Sequence, residues 1–270
     1  MTQPVVLLDL DGVVWLGDST IPGSPAAVHA LRAHGARVAF FTNNSSMRVA
    51  HLIEKLHAHG ISAEPEDVLS SAQAAADLLS EGPAQIQRVL PCAGPGVIEA
   101  VEAKGMTVVH PEPTAVDAAD AVVVGWHRTF DFDELDRASA AVRGGARFVA
   151  TNLDATYPAQ GRVLPGGGAI VAAVATASGV QPEVAGKPEA PAAAMVHRRL
   201  GNSGVMVGDR PSTDGAFADA LGWPFALVLS GIGGHDPAEP IPKPEPPFVA
   251  DDLAAIVPAI LRHLKGIPED

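Results

Sequence analysis

The apolar residues of this chain fall into short unbroken runs. Residues 5–8 read Val-Val-Leu-Leu and residues 38–41 read Val-Ala-Phe-Phe. Unbroken runs of this length predict strands buried on both faces, as in a parallel sheet covered by helices. Residues 205–207 and 225–229 predict two more. Helical stretches lie between and after them. One covers about 24–33, opened by Pro22 to Ser24 and ended by Gly35. Another runs to about residue 59, with Ser46 as a candidate cap and Gly60 as the stop. Residues 213–221 and 252–264 predict two further helices.

The middle of the chain repeats this grammar. Strands are predicted at 88–90, 107–109, 121–124 and 148–150, and helices at 96–103, 132–142 and 169–178. This block has material for its own sheet and core. The predicted fold is therefore α/β: a Rossmann-like parallel-sheet core with a second α/β domain inserted into it. The expected division is 1–72 and 186–270 for the core and 73–185 for the insertion. Six prolines between Pro237 and Pro247 predict an extended surface loop.

Composition narrows the function classes. The 270 residues are 47% apolar and 18% charged, which fits a folded protein. Eighteen basic against 31 acidic residues give a net charge of −13, without the basic footprint of a nucleic-acid binder. The single Cys92 excludes an intramolecular disulfide and any cysteine-based zinc cluster, and suits a reducing compartment. No apolar run is long enough to span a membrane, and the start, Met1-Thr2-Gln3-Pro4-Val5, does not read as a signal peptide. The expected location is the cytoplasm.

The candidate chemistry sits at strand ends. Asp9-Leu10-Asp11-Gly12 closes the first buried run. Ligands of open parallel sheets bind at the carboxyl ends of strands. Two carboxylates there can share work as nucleophile and as general acid and base, or they can simply form a polar turn. Thr42-Asn43-Asn44 ends the second run and can cradle a phosphate or cap a helix. Gly186-Lys187-Pro188 precedes a helix, where a cation opposes the dipole and hints at an anionic ligand. Gly208-Asp209-Arg210 ends a third run and Thr213-Asp214 follows. Asp209 can bind a hard cation, with Asp214 orienting groups behind it or capping the helix.

Taken in order, these four motifs resemble those of the haloacid dehalogenase-like hydrolase superfamily. The insertion resembles the large α/β cap of its subfamily IIA, which includes the NagD-like, 4-nitrophenyl, phosphoglycolate and pyridoxal phosphate phosphatases. Two cap segments carry that likeness, Ala150-Thr151-Asn152-Leu153-Asp154-Ala155-Thr156-Tyr157-Pro158 and Leu164-Pro165-Gly166-Gly167-Gly168-Ala169. The resemblance implies an aspartyl-phosphate on Asp9, with Asp11 protonating the leaving alkoxide and then deprotonating water. It implies Mg²⁺ on the Asp9 side chain, the Asp11 carbonyl and Asp209, with Asp214 behind them. Thr42, Asn43 and Lys187 would bind the phosphoryl group. Asp154, Thr156 and Tyr157 would face the site from the cap and set specificity. A small phosphorylated metabolite is the expected partner, without nucleic acid or membrane. A homodimer through the cap accords with relatives.

One departure stands out. Phe217 occupies the third position after Asp214, where relatives often have Gly, and is expected in the core. The histidines His51, His57 and His59 read as a solvated face. His127 reads either as a lining of the entrance or as a plain loop residue. The alternatives to a phosphatase are a dehalogenase, a phosphonatase or a non-catalytic phosphate-binding module. Dehalogenation does not need Asp11. Phosphonate cleavage would need a cap lysine, and the insertion offers only Lys104.

Overall fold

In the computed structural model, which describes residues 3–82, 85–109, 119–159, 162–233, 235–236 and 239–266, the buried runs form two parallel sheets. The chain opens with β1 (Val5–Leu8), a small hairpin of β2 (Trp15–Leu16) and β3 (Ser19–Thr20), and α1 (Ser24–Ala33). Then come β4 (Arg37–Thr42), α2 (Val49–Ala58), β5 (Val68–Ser70) and α3 (Ser71–Glu81). The next block holds β6 (Arg88–Cys92), α4 (Pro95–Ala103), β7 (Thr107–Val108), β8 (Ala121–Val124), α5 (Phe132–Arg143) and β9 (Arg147–Ala150). A hairpin of β10 (Thr156–Ala159) and β11 (Arg162–Pro165) leads to α6 (Gly167–Ser178) and β12 (Glu183–Val184). The chain closes with α7 (Ala190–Leu200), β13 (Gly204–Gly208), α8 (Ala216–Leu221), β14 (Phe225–Val228), β15 (Phe248–Ala250) and α9 (Leu253–Leu264).

The first sheet has the order β15-β14-β13-β1-β4-β5, and the second β12-β9-β8-β6-β7. Every pairing in both is parallel. In the first sheet the chain runs outward from β1 through β4 to β5, and from β13 through β14 to β15. The strand order therefore reverses between β1 and β13. In the second it reverses between β6 and β8.

The side-chain period of two sorts the central strands between two cores. Val6, Leu8, Val38 and Phe40 face one cluster, with Leu253, Ile256 and Ile260 of α9. Val5, Leu7, Ala39 and Phe41 face the other. That second cluster continues through Ala72, Ala75, Ala76 and Leu79 of α3 to Val89 and Val123 of the second sheet. The helix α3 thus lies in an apolar layer shared by both sheets.

Several local expectations are revised. Ser46 does not cap α2, whose first residue is Val49. Its hydroxyl donates to Asn44 Oδ1 at 2.7 Å, and the Val49 N–H is taken by Glu99 Oε2 of α4 at 2.8 Å. The predicted helix 213–221 is a wide turn, Pro211–Gly215, followed by α8. Asp252 is the cap of α9 rather than its first residue, accepting from the Ala255 N–H at 2.8 Å. Among its described residues the proline-rich stretch forms no helix or strand, and Pro237 lies outside the described residues. It is not wholly on the surface: Glu239 is buried and accepts the Ser212 N–H at 3.0 Å.

Phe217 is fully buried, its ring 5.3 Å from that of Phe41. Phe217→Ala should cost about 3–5 kcal/mol by emptying that space, read as a fall in the midpoint of urea unfolding.

Candidate active site

The reversal between β1 and β13 places two strand ends side by side. Asp9 follows β1, and its N–H donates to Val207 O of β13 at 2.9 Å. Asp209 follows β13 itself. Gly12 turns the chain away at φ +87°, and a Cβ there would overlap the Asp209 carboxylate. Gly231 lies equally close against the same carboxylate. The Ile232 N–H donates to Asp209 Oδ2 at 2.8 Å.

Lys187 reaches into this corner from the segment before α7. Its Nζ donates to Asp9 Oδ1 and Asp214 Oδ1, both at 2.7 Å, and to Phe41 O at 3.2 Å. Lys187 is 3% exposed, so these bonds are made almost without water. Burial pulls the lysine pKa down, but Asp214 and Asp9 together outweigh it and hold the ammonium charged. Asp9 is pushed well above the carboxylate range by burial, against the pull of Lys187. Asp209 is pushed up to about 7 by burial and by Asp214.

Oxygen atoms of Asp9, Asp209 and Asp214 lie within 4.8 Å of one another. Hard carboxylate oxygens with only one buried lysine between them fit a hard divalent cation, which relieves their repulsion. Asp214 lies close to this cluster with both oxygens engaged: Lys187 Nζ donates to its Oδ1 and the Arg210 N–H to its Oδ2 at 3.2 Å.

Asp11 points elsewhere. Its Oδ1 accepts from Trp15 Nε1 at 3.0 Å and from the Tyr157 hydroxyl at 3.5 Å. Burial raises its pKa. Trp15 had no place in the sequence-based reading. Its signal was an indole four residues after Asp11, and the pair is fixed by an isolated bridge between those residues. Lys55 sits 4.2 Å from the Trp15 ring and His59 lies tilted against it with centroids 4.9 Å apart, so His59 is half-buried rather than fully solvated.

Thr42 Oγ1 accepts the Asn44 N–H at 3.0 Å. Asn43 spends its whole amide on the protein. Its Nδ2 donates to Asp154 Oδ2 at 3.1 Å and Lys187 O at 3.0 Å, and its Oδ1 accepts the Lys187 N–H at 2.9 Å. Asp154 also faces Thr213, whose hydroxyl donates at 3.5 Å, and Arg210, 3.9 Å away. Thr156 and Tyr157 lie in β10, and Tyr157 stacks on Trp126 with centroids 5.2 Å apart. All ten residues singled out from the sequence line one cavity of about 70 Å³. Asn44, Arg210 and Thr213 line it too. All three stand within the motifs quoted from the sequence but carried no assigned role there. His127 does not line it.

Residues 6–107 match the family described as haloacid dehalogenase-like hydrolase, and residues 184–256 match HAD-hydrolase-like. D-glycerol 3-phosphate phosphatase of Mycobacterium tuberculosis is 38% identical over 254 residues, 93% of this chain and 70% of that one. Acid sugar phosphatase of Staphylococcus aureus is 34% identical over 230 residues, 84% of this chain and 86% of that one. The crystal structure of the glycerol phosphate phosphatase from Mycobacterium tuberculosis with magnesium has a TM-score of 0.83 at 35% identity, covering 93% of this chain and 75% of that one. The p-nitrophenyl phosphatase from Archaeoglobus fulgidus has a TM-score of 0.83 at 27% identity, covering 96% and 100%. The chain therefore belongs to the haloacid dehalogenase-like hydrolases. Within them it is of the NagD and p-nitrophenyl phosphatase type, and it is a phosphatase.

Gly12→Ala should displace the Asp209 carboxylate and weaken half-saturation by Mg²⁺ about tenfold or more, measured from the Mg²⁺ dependence of phosphate release.

Proposed function

We propose that this phosphatase hydrolyses small phosphate monoesters with Mg²⁺, through an aspartyl-phosphate on Asp9. The observation that carries this reading is the Asp9, Asp209 and Asp214 cluster with Lys187 at the reversal of the first sheet. The carboxylates of Asp9 and Asp209, with the Asp11 backbone carbonyl, would hold Mg²⁺, and Asp214, bound by Lys187 and the Arg210 N–H, would stand behind them. Bound there, the ion offsets the charge of the phosphoryl group. Lys187 fixes one oxygen of Asp9 and adds its own positive charge. An oxygen of Asp9 attacks phosphorus as the bond to the leaving oxygen breaks. Asp11, whose buried carboxyl favours the protonated form, gives that oxygen its proton. Water then attacks the phosphorus of the aspartyl-phosphate, Asp11 takes its proton, and inorganic phosphate leaves with the Asp9 carboxylate restored.

The cavity is small and polar, and Asp154, Thr156 and Tyr157 enter it from the cap. This supports glycerol phosphate and sugar phosphates ahead of pyridoxal phosphate or nucleoside monophosphates. The relatives named for glycerol 3-phosphate and acid sugar phosphatase activity point the same way. The phosphonatase reading has no support, because Lys104 pairs with Asp77 at 2.6 Å and does not line the cavity.

The proposed units are a core of 1–72 and 186–270 and a cap of 73–185. The proposed assembly is a homodimer through the cap, where Phe132 is 79% exposed. A net charge of −13 and a lone cysteine support a cytoplasmic enzyme that does not bind nucleic acid. Among the described residues no helix is long and apolar enough to cross a membrane.

Asp9→Asn should abolish Mg²⁺-dependent phosphate release, and Asp11→Asn should lower kcat by about 10²–10⁴-fold. Full activity in the Asp9 variant would overturn the assigned nucleophile. In a comparison of kcat/KM, glycerol 3-phosphate should exceed pyridoxal phosphate. Asp154→Ala should change that ratio mainly through KM.

A further inference from the structure

The second sheet has its own reversal, between β6 and β8, and here too the carboxyl ends of the two strands carry chemistry. Cys92 is the last residue of β6, and its carbonyl accepts the Gly125 N–H just beyond β8 at 3.0 Å. His127 follows two residues later. Glu134 projects from the first turn of α5. We propose that Cys92, His127 and Glu134 form a second cation site, for a thiophilic divalent ion such as Zn²⁺, separate from the phosphatase centre.

Four observations carry this. The ligand atoms of the three residues lie within 4.8 Å of one another. His127 Nε2 and Glu134 Oε2 are 3.5 Å apart. Bonds of roughly 2.0–2.1 Å at a tetrahedral angle hold two such atoms about 3.3 Å apart, so a small closure suffices. The His127 side chain is 7% exposed, and its Nε2 is buried without a hydrogen-bond partner. Its other nitrogen, Nδ1, lies 3.2 Å from the Thr129 hydroxyl, which fixes the ring with Nε2 toward the cluster.

The charges also balance. A thiolate, a carboxylate and a neutral imidazole cancel a divalent ion, which suits a buried place. Without an ion, burial drives each group toward its neutral form: it raises the Cys92 thiol, raises Glu134 to about 7 and lowers His127. Ion binding then releases the thiol proton, and any proton on Glu134, to solvent. A cavity of about 190 Å³ beside Cys92 and Glu134, lined also by Leu90, Ile98, Val108 and Arg137, leaves room for a water as fourth ligand. A single cysteine therefore suffices when histidine and glutamate complete the set, which revises the exclusion drawn from the cysteine count. The ordinary alternative is a buried cysteine that packs as a small apolar residue.

Because Cys92 is the only cysteine, its spectrum identifies the site. The full chain, stripped of metal and then given excess Mg²⁺ to fill the phosphatase centre, is titrated with Co²⁺. The expected result is one equivalent bound with a thiolate-to-cobalt absorption band, displaced by Zn²⁺. Cys92→Ser should lose the band. His127→Gln and Glu134→Gln should keep a folded circular-dichroism spectrum and weaken Co²⁺ binding about tenfold or more. The wild-type titration decides even if a variant fails to fold. Absence of the band in the wild type, or an affinity unchanged in both folded variants, would overturn the proposal.

Discussion

The buried ammonium of Lys187 is the interaction on which the site depends. It lies between two carboxylates from distant parts of the chain, and its side chain is almost wholly buried. Removing one partner of such a pair leaves an unpaired buried charge, at a cost of about 3–5 kcal/mol. The geometry around Lys187 therefore has to be secured by the fold. Asn43 binds both its N–H and its carbonyl, and Phe41 O at the end of β4 takes a third hydrogen of the ammonium. Three strand ends and the approach to α7 are thereby set to one another.

The two sheets meet through close backbone contact as well as apolar packing. A side chain at Gly94 or Gly96 would collide with the backbone of Ser46 and Met47. Ser45 and Thr151 share a hydrogen bond at 2.9 Å, and Asn152 Nδ2 donates to Asn43 O at 2.7 Å. Glu99 serves as the cap that α2 lacks in its own sequence. Arg198 of α7 also pairs with Asp77 of α3, and Lys104 pairs with the same carboxylate. These contacts explain how residues as far apart as Asn43 and Asp154 come to line one small cavity.

What was legible in the sequence follows from physical locality. The run at 5–8 declared a central strand because every residue in it is buried on one face or the other. The motif aspartates were legible because strand ends collect ligands. The helix α3 was not, since its buried face is built largely of alanines and takes its place from packing between two sheets. The β10–β11 hairpin was not predicted, because Pro158 and the glycines after Pro165 look like turn material. Ser46 looked like a helix cap, yet the donor it was meant to serve is met by a glutamate fifty residues away. The roles of Trp15 and Asn43 lie in contacts across the fold, which no local pattern displays.

Asn43 joins two tasks that are usually separate. The residue marked from the sequence as a phosphate contact is also a fastener between the halves of the cleft, through Asp154 and Asn152. The two bonds, each worth about 0.5–1.5 kcal/mol net, meet at the residue that also anchors Lys187. Asp154 at the cavity and the backbone of Lys187 are thus held to one another through a single amide, so the shape of the pocket and the placing of its buried charge are one constraint.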